Sequence, residues 1–370
     1  MASTIAAAGR RLAEGFRNLG NIGAPDGEAL ERFVETASAY ARIEVAALGA
    51  IDYELPAHVG GAATTARGQG EDLAVRERKL LGQEDEAEID LRALLEERGL
   101  KVIAASVESD LGSVFAYEAA LGPAIFVNAR GAAGDDRFWL AHAYAHLIAD
   151  IDPYRVRVCR PGESRIVPMQ EIDLDEWYAS AVDLSPASIA ASEERANAFA
   201  EALLLPTDLL TAFVSGARRE TGRALSPDVM LQMESYFGAS AKRIGDRLVH
   251  LGALEPDAAA SLVRQADERR PASPPAEPPA GMPRRMLDLA AGAFRRAKLS
   301  VERLAHILGT DEETVTELLS VYDMSGDPAG GARRLDEDDG TSGRGPGAEG
   351  AGGRGRRRRS RREDEGDRSP

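Results

Sequence analysis

What most constrains the fold of this chain is how little of it reads as strand. Three short runs carry β-type side chains, Lys101–Ala105, Ser113–Tyr117 and Ala124–Val127, separated by Gly112 and by Gly122-Pro123. The segments on either side place apolar residues at three- and four-residue steps, the period of a helix with one buried face. A three-stranded sheet needs helices to cover it. The expectation is an α+β core over residues 72–220, in which a small antiparallel sheet packs on the neighbouring helices.

Composition divides the rest of the chain. Residues 1–55 read as an N-terminal helical region, with an Ala-rich helix over 3–19. A stronger helix over 28–49 has Leu30, Phe33, Val34, Ala37, Tyr40, Ala41 and Leu48 on one face. Residues 56–71, rich in Gly, Ala and Thr, read as a linker. Within the core, helices are expected over 72–81, 89–98 and 136–151. Pro153, Pro161 and Pro168 then break an irregular stretch. A further helix ends at Leu205-Pro206, and Thr207 is placed to cap the next, over 208–219. Residues 221–265 read as a helix-turn-helix-like subdomain, Pro227–Phe237 and Ala241–Leu251 about the turn Gly238-Ala239-Ser240. Six prolines between Pro271 and Pro283 make 266–285 a stiff linker. Residues 286–325 form a small helical unit, in which Thr310 and Glu313 have capping-box spacing. Residues 326–370 hold Gly, Arg and acidic residues with almost no large apolar side chain, which predicts a disordered tail.

The charge balance, 45 Lys and Arg against 61 Asp and Glu, gives a net −16 and repels nucleic acid and anionic membrane. Lys242, Arg243 and Arg247 would serve a DNA-reading second helix, but Asp246 and the packing needs of that segment argue against it. The basic run Arg354–Arg362 is flanked by Asp336–Asp339 and Glu363–Asp367, which neutralise it in cis. No stretch of 18 apolar residues predicts a membrane span, and the first residues lack the apolar region of a signal peptide. The single cysteine, Cys159, has no intrachain partner for a disulfide, consistent with a cytoplasmic protein.

Chemistry concentrates on the helix after the third β run. His142 and His146 are four residues apart and share a helix face, the spacing at which one helix offers two imidazoles to one metal ion. A zinc hydrolase of the H-E-x-x-H type has a glutamate directly after the first histidine as general base. Here that position is Ala143. On the later helix, Glu193 and Asn197 also share a face. A carboxylate from a second helix is the usual third ligand, and an asparagine one turn on suits a hydrogen bond to an imidazole's second nitrogen. Small Ala196 and Ala200 would let the two helices approach. Glu194 and Glu201 are the other carboxylates of that helix, one off the Glu193 face and one two turns further along. His58, His250 and His306 fall in no ligand pattern.

In this ordered set the chain resembles the ImmA/IrrE-type zinc metallopeptidases, over about residues 72–254. The resemblance is carried by several segments. They are Leu91–Val102, the Gly112 turn, Ala-Ile-Phe-Val-Asn ending at Asn128, Arg-Phe-x-Leu-Ala-His ending at His142, Glu-x-x-Ala-Asn-x-Phe-Ala-x-x-Leu-Leu-x-Pro ending at Pro206, Tyr236-Phe-Gly-Ala-Ser, and Arg247-Leu-x-x-Leu-Gly. It implies a gluzincin-like site holding one zinc ion on His142, His146 and Glu193, and limited proteolysis of a repressor- or antitoxin-like protein partner. Ala143 departs from the family's glutamate. A positioned general base contributes about 10²–10⁴-fold, so the expectation is an impaired peptidase or a zinc-stabilised binding module, with an active zinc endopeptidase as the alternative. In such sites an edge strand beside the cleft aligns an extended peptide through backbone hydrogen bonds. Ala124, Ile125, Phe126, Val127 and Asn128 are the candidate strand.

Overall fold

The computed structural model describes residues 2–17, 23–49, 63–130, 134–150, 155–168, 185–221, 225–270 and 282–324. Among them are thirteen helices and a five-stranded mixed sheet, so the protein is α+β and mostly helical. The helices are α1 (Ala2–Arg17), α2 (Ala24–Leu48), α3 (Ala66–Leu81), α4 (Leu91–Glu97), α5 (Asp135–Ala149), α6 (Pro186–Leu204), α7 (Thr207–Thr221), α8 (Pro227–Phe237), α9 (Ala241–His250), α10 (Pro256–Arg269), α11 (Arg284–Arg295), α12 (Val301–Leu308) and α13 (Glu312–Met324). The strands are β1 (Lys101–Ala105), β2 (Ser113–Glu118), β3 (Gly122–Asn128), β4 (Arg155–Arg160) and β5 (Glu163–Pro168). The expected tail over 326–370, residues 56–62 of the first expected linker and residues 271–281 of the second lie outside the described residues. Among the described residues no single helix is long and apolar enough to cross a membrane.

The three expected strands form, but not as an antiparallel sheet. The strand order is β1-β3-β2-β4-β5, and β1 runs parallel to β3 while the other pairs are antiparallel. The cause lies in the loop after β1, which crosses the end of β3 instead of turning back beside β1. The Asn128 side chain holds it there, accepting from Val107 N–H at 3.0 Å and donating to the Val107 and Leu111 carbonyls at 3.1 and 2.9 Å. β3 is therefore an internal strand, paired on both edges. This overturns the reading of Ala124, Ile125, Phe126, Val127 and Asn128 as a peptide-aligning edge, because their backbone groups are already used in the ladder. The sequence carries the reason: Ala-Ile-Phe-Val is apolar on both faces, as a strand covered on both sides must be. Ile125 and Val127 face one core, Ala124 and Phe126 the other.

The stretch expected to be irregular holds β4 and β5. Arg-Val-Arg-Val-Cys-Arg alternates with period two, and Pro161-Gly162 turns the hairpin, Gly162 taking φ +76°. Val156 and Val158 face the α1–α2 side, leaving buried Arg157 and Cys159 on the opposite face. Other differences are local. α3 begins at Ala66, inside the expected linker, because Thr65 caps it and Gly70 lies against α6. Thr207 does not cap α7; its hydroxyl accepts from Arg247 at 2.9 Å. Asp311, not Thr310, caps α13 through Thr314 N–H at 2.8 Å. Helix α10 covers 256–269, where no helix was expected.

Helices cover both faces of the sheet. One face packs against a core built mainly from α3–α10, the other against α1 and α2. The far side of α2 packs against α11, α12 and α13 through Tyr40, Ile43, Met286, Leu304 and Ile307. A buried ion pair, Lys101 Nζ to Glu44 at 2.5 Å, ties β1 to α2, and Arg285 of α11 pairs with the same Glu44.

Candidate metal centre

The site is built on α5, which is buried almost all round from Phe138 to Ile148. Gly134, at φ +89°, enters the helix against the Gly238 carbonyl, where a Cβ would collide at 2.7 Å. Asp135 and Asp136 complement the positive end of the helix dipole. The α8–α9 turn braces this end. Arg137 donates to the Gly238 carbonyl at 2.8 Å, Ser240 donates to Asp135 at 3.0 Å, and Arg243 stacks on Phe138 with its guanidinium carbon 3.4 Å from the ring centre. Arg247, 1% exposed, reaches Glu71 at 2.5 Å and Thr207 at 2.9 Å. Two of the three basic residues named for DNA are thus engaged in the fold, and the third, Lys242, pairs with Asp246 at 2.7 Å.

Three of the expected ligands converge. His142 Nε2 lies 3.0 Å from His146 Nε2 and 3.3 Å from Glu193 Oε2, and His146 Nε2 lies 3.1 Å from Glu193 Oε1. Asn197 stands where the sequence places it, its Oδ1 3.1 Å from His142 Nδ1. The carbonyl accepts the Nδ1 proton and leaves Nε2 free to face the cluster. Asp150 does the same for His146, 2.6 Å from its Nδ1. Arg195 and Arg157 in turn hold Asp150, and Arg157 also donates to Ser192 at 2.8 Å. Trp139 packs edge-on against the His142 ring, 5.3 Å between centres, in space that Gly112 leaves open.

Cys159 is the group's fourth member. One ligand atom from each of His142, His146, Cys159 and Glu193 lies within 4.8 Å of the others, and the four form a set that can hold a metal ion. The donor chemistry agrees: two imidazole nitrogens, a carboxylate and a sulfur suit a borderline-soft divalent ion. Glu193 Oε1 is buried and accepts no hydrogen bond despite its closeness to His146 Nε2, as expected when lone pairs point at a shared centre and not at each other.

The electrostatics of the metal-free cluster follow from this crowding. Burial disfavours charge on His142 and His146, and Arg157 disfavours it further on His146. The thiol of Cys159, with Glu193 beside His142 and Asp150 beside His146, outweighs this and raises both imidazoles above their usual range. Burial pushes the Cys159 thiol up, but the two imidazoles bring it down to about 7. Glu193 is likewise held well below the carboxylate range against its own burial by His142 and His146. These shifts favour proton transfer from sulfur to imidazole, and a bound divalent cation would favour the thiolate further.

Ala143 is fully enclosed in the hydrophobic core. The two other carboxylates of α6 do not reach the cluster as free groups. Glu194 is exposed, and Glu201 is occupied by Arg67 at 3.1 Å and His250 at 2.8 Å. His250, which showed no partner pattern, thus has one. The sequence reading missed Cys159, Asp150, Arg157 and Arg195. Asp150 was visible as the residue four after His146, and Cys159 and Arg157 as one face of the alternating β4 run. The chain matches no protein-family model and no curated protein.

Proposed function

We propose that this protein is a zinc-holding pseudo-peptidase, a metallopeptidase-like regulatory module that binds a repressor- or antitoxin-like protein partner without efficient cleavage. The observation that carries the reading is the pairing of a convergent His142–His146–Glu193 set with alanine at position 143. Zinc bound there would supply Lewis acidity. The chain's own residues orient the ligands, Asn197 and Asp150 fixing the two imidazoles, but among the described residues none stands ready to take a proton from water. That omission costs about 10²–10⁴-fold in rate. The helix-turn-helix-like pair α8–α9 acts in this reading as a brace for α5, with Arg243 and Arg247 turned to internal partners. The nature of the partner rests on the resemblance over residues 72–254.

The test combines elemental analysis with a cleavage assay on the full chain. Wild type should carry one zinc per molecule, His142→Ala little or none, and zinc-loaded wild type should leave a diverse peptide library uncut. Chelator-sensitive cleavage would replace this reading with that of an active endopeptidase. Equal zinc in wild type and His142→Ala would remove the site itself.

A further inference from the structure

We infer that Cys159 is the fourth metal ligand, so that the centre is a closed His-His-Glu-thiolate site with no coordination position left for water. The inference rests on the zinc-holding reading above and deepens it: chemistry is lost at the metal as well as at the base. The geometry comes first. Zinc bonds to nitrogen and oxygen of about 2.0–2.2 Å set tetrahedral ligand atoms a little over 3 Å apart. The two imidazole nitrogens are 3.0 Å apart, and each has one Glu193 oxygen beside it, Oε1 3.1 Å from His146 and Oε2 3.3 Å from His142, spacings that suit one side of such a site. The fourth vertex takes either a water molecule or a protein atom, and among the described residues Cys159 Sγ is the ligand atom that joins the other three, all within 4.8 Å of one another.

Burial and backbone support the same assignment. Cys159 is 0% exposed and both histidines 1%, so three of the four groups are shut from solvent and only Glu193, at 19%, keeps some exposure, whereas a hydrolytic zinc needs an open position that exchanges water and substrate. The thiol is also held in place. Cys159 sits in register with Ser113 of β2, and its carbonyl accepts from Gly112 N–H at 3.0 Å, so the sheet fixes its position.

Charge gives a third, separate reason. A zinc ion with two neutral imidazoles and one carboxylate would carry net +1 in the interior, beside Arg157, itself 6% exposed. Asp150 already answers Arg157 and Arg195. A thiolate brings the centre to neutrality, and buried charge is tolerated only when balanced in this way. On binding, the ion replaces the thiol proton, which leaves to solvent. The metal then joins α5, β4 and α6, three elements distant in sequence, in the manner of a structural site.

The experiment uses full-length protein stripped with chelator and reloaded with one equivalent of Co2+. Absorption spectroscopy should show a thiolate-to-cobalt charge-transfer band in the near ultraviolet, with the intense visible bands of tetrahedral cobalt. The charge-transfer band should be absent in Cys159→Ser and Cys159→Ala. X-ray absorption at the zinc edge of the zinc-loaded wild type should show one sulfur neighbour at about 2.3 Å. The wild-type spectra decide the matter whether or not the variants fold. Stoichiometric cobalt without the charge-transfer band would overturn the role of Cys159 and leave the three-ligand site standing. No cobalt or zinc binding by wild type would overturn both readings.

Discussion

Gly70 tests whether the tight seam between α3 and α6 sets the metal site. A Cβ at Gly70 would lie 2.9 Å from Phe199 N and 3.0 Å from Ala198 Cβ, and closer still to the Arg195 carbonyl. Ordinary contacts of this kind lie near 3.5–4.0 Å, so Gly70→Ala forces the two helices apart by about 1 Å. Two effects then oppose one another. Alanine in a helix gains up to about 1 kcal/mol over glycine, while overpacking a rigid seam costs about 1–3 kcal/mol. Here backbone as well as side-chain atoms obstruct the new methyl, so the cost belongs at the upper end and wins by about 1–2 kcal/mol. At roughly 1–2 °C per kcal/mol for a chain of this size, the midpoint of metal-free protein should fall by about 1–4 °C. The displaced helix is also the one bearing Glu193, Arg195 and Asn197, so zinc affinity should fall with it. Gly216→Ala is the control: that glycine is also helical but has nothing within 4 Å of a new Cβ, and the substitution should stabilise by a few tenths to about 1 kcal/mol. The measurements are calorimetric melts with and without zinc, and zinc competition against a chromophoric chelator. If Gly70→Ala is as stable as Gly216→Ala and binds zinc as tightly as wild type, the seam does not set the site.

Asn197→Ala removes the acceptor that orients His142 and should weaken zinc binding about 10–100-fold with little change in the metal-free melt; unchanged affinity would show that the ring is held by other contacts. Lys101 offers a pH test. Burial lowers its pKa from 10.5 to about 8, with Glu44 opposing, so between about pH 8 and pH 10 the unfolded chain binds more protons than the folded one. Stability relative to Lys101→Met should therefore rise with pH across that window, by up to about 1 kcal/mol per unit. The raised Tyr40 begins to act in the opposite sense only near its ordinary value of 10. Chemical denaturation at a series of pH values reads the slope, and a flat or falling difference would show that Lys101 keeps its charge through Glu44.

The elements that follow one periodic signal were legible in the sequence, and those requiring a choice between signals were not. α2, α5 and α6 carry helical spacing along their length, and β1, β2 and β3 were bounded by glycines. β4 was hidden because Pro153 and Pro161 look like breakers when read alone, although Pro161-Gly162 is the turn of a hairpin and Arg-Val-Arg-Val-Cys-Arg alternates cleanly. Gly70 looked like linker for a similar reason. Glycine in a helix is unfavourable by propensity, and only the neighbour, α6, shows that its absent side chain is used for close approach. The strand order also lay beyond the local pattern, since the β1–β3 pairing depends on a loop held by Asn128 across more than fifteen residues.

At the site, missing β4 had a larger consequence than a missed strand. The sequence presented Ala143 as a single departure from the resembled site, because the ligands on α5 and α6 carry helical spacing and nothing local pointed to a further ligand. β4 brings Cys159 beside the histidines and Glu193, with Arg157 next to it. The three features then bear on one another. On the closed-site proposal there is no water to activate, and a glutamate at position 143 would have no proton to accept. It would instead be a buried carboxylate in a core position that is 0% exposed, which costs several kcal/mol unless paired. Alanine there is the residue expected beside a closed metal site. The closed-site proposal therefore predicts that Ala143→Glu alone leaves the zinc-loaded protein unable to cut peptides in the cleavage assay, because the thiol would still fill the fourth position; chelator-sensitive cleavage by that single variant would refute it.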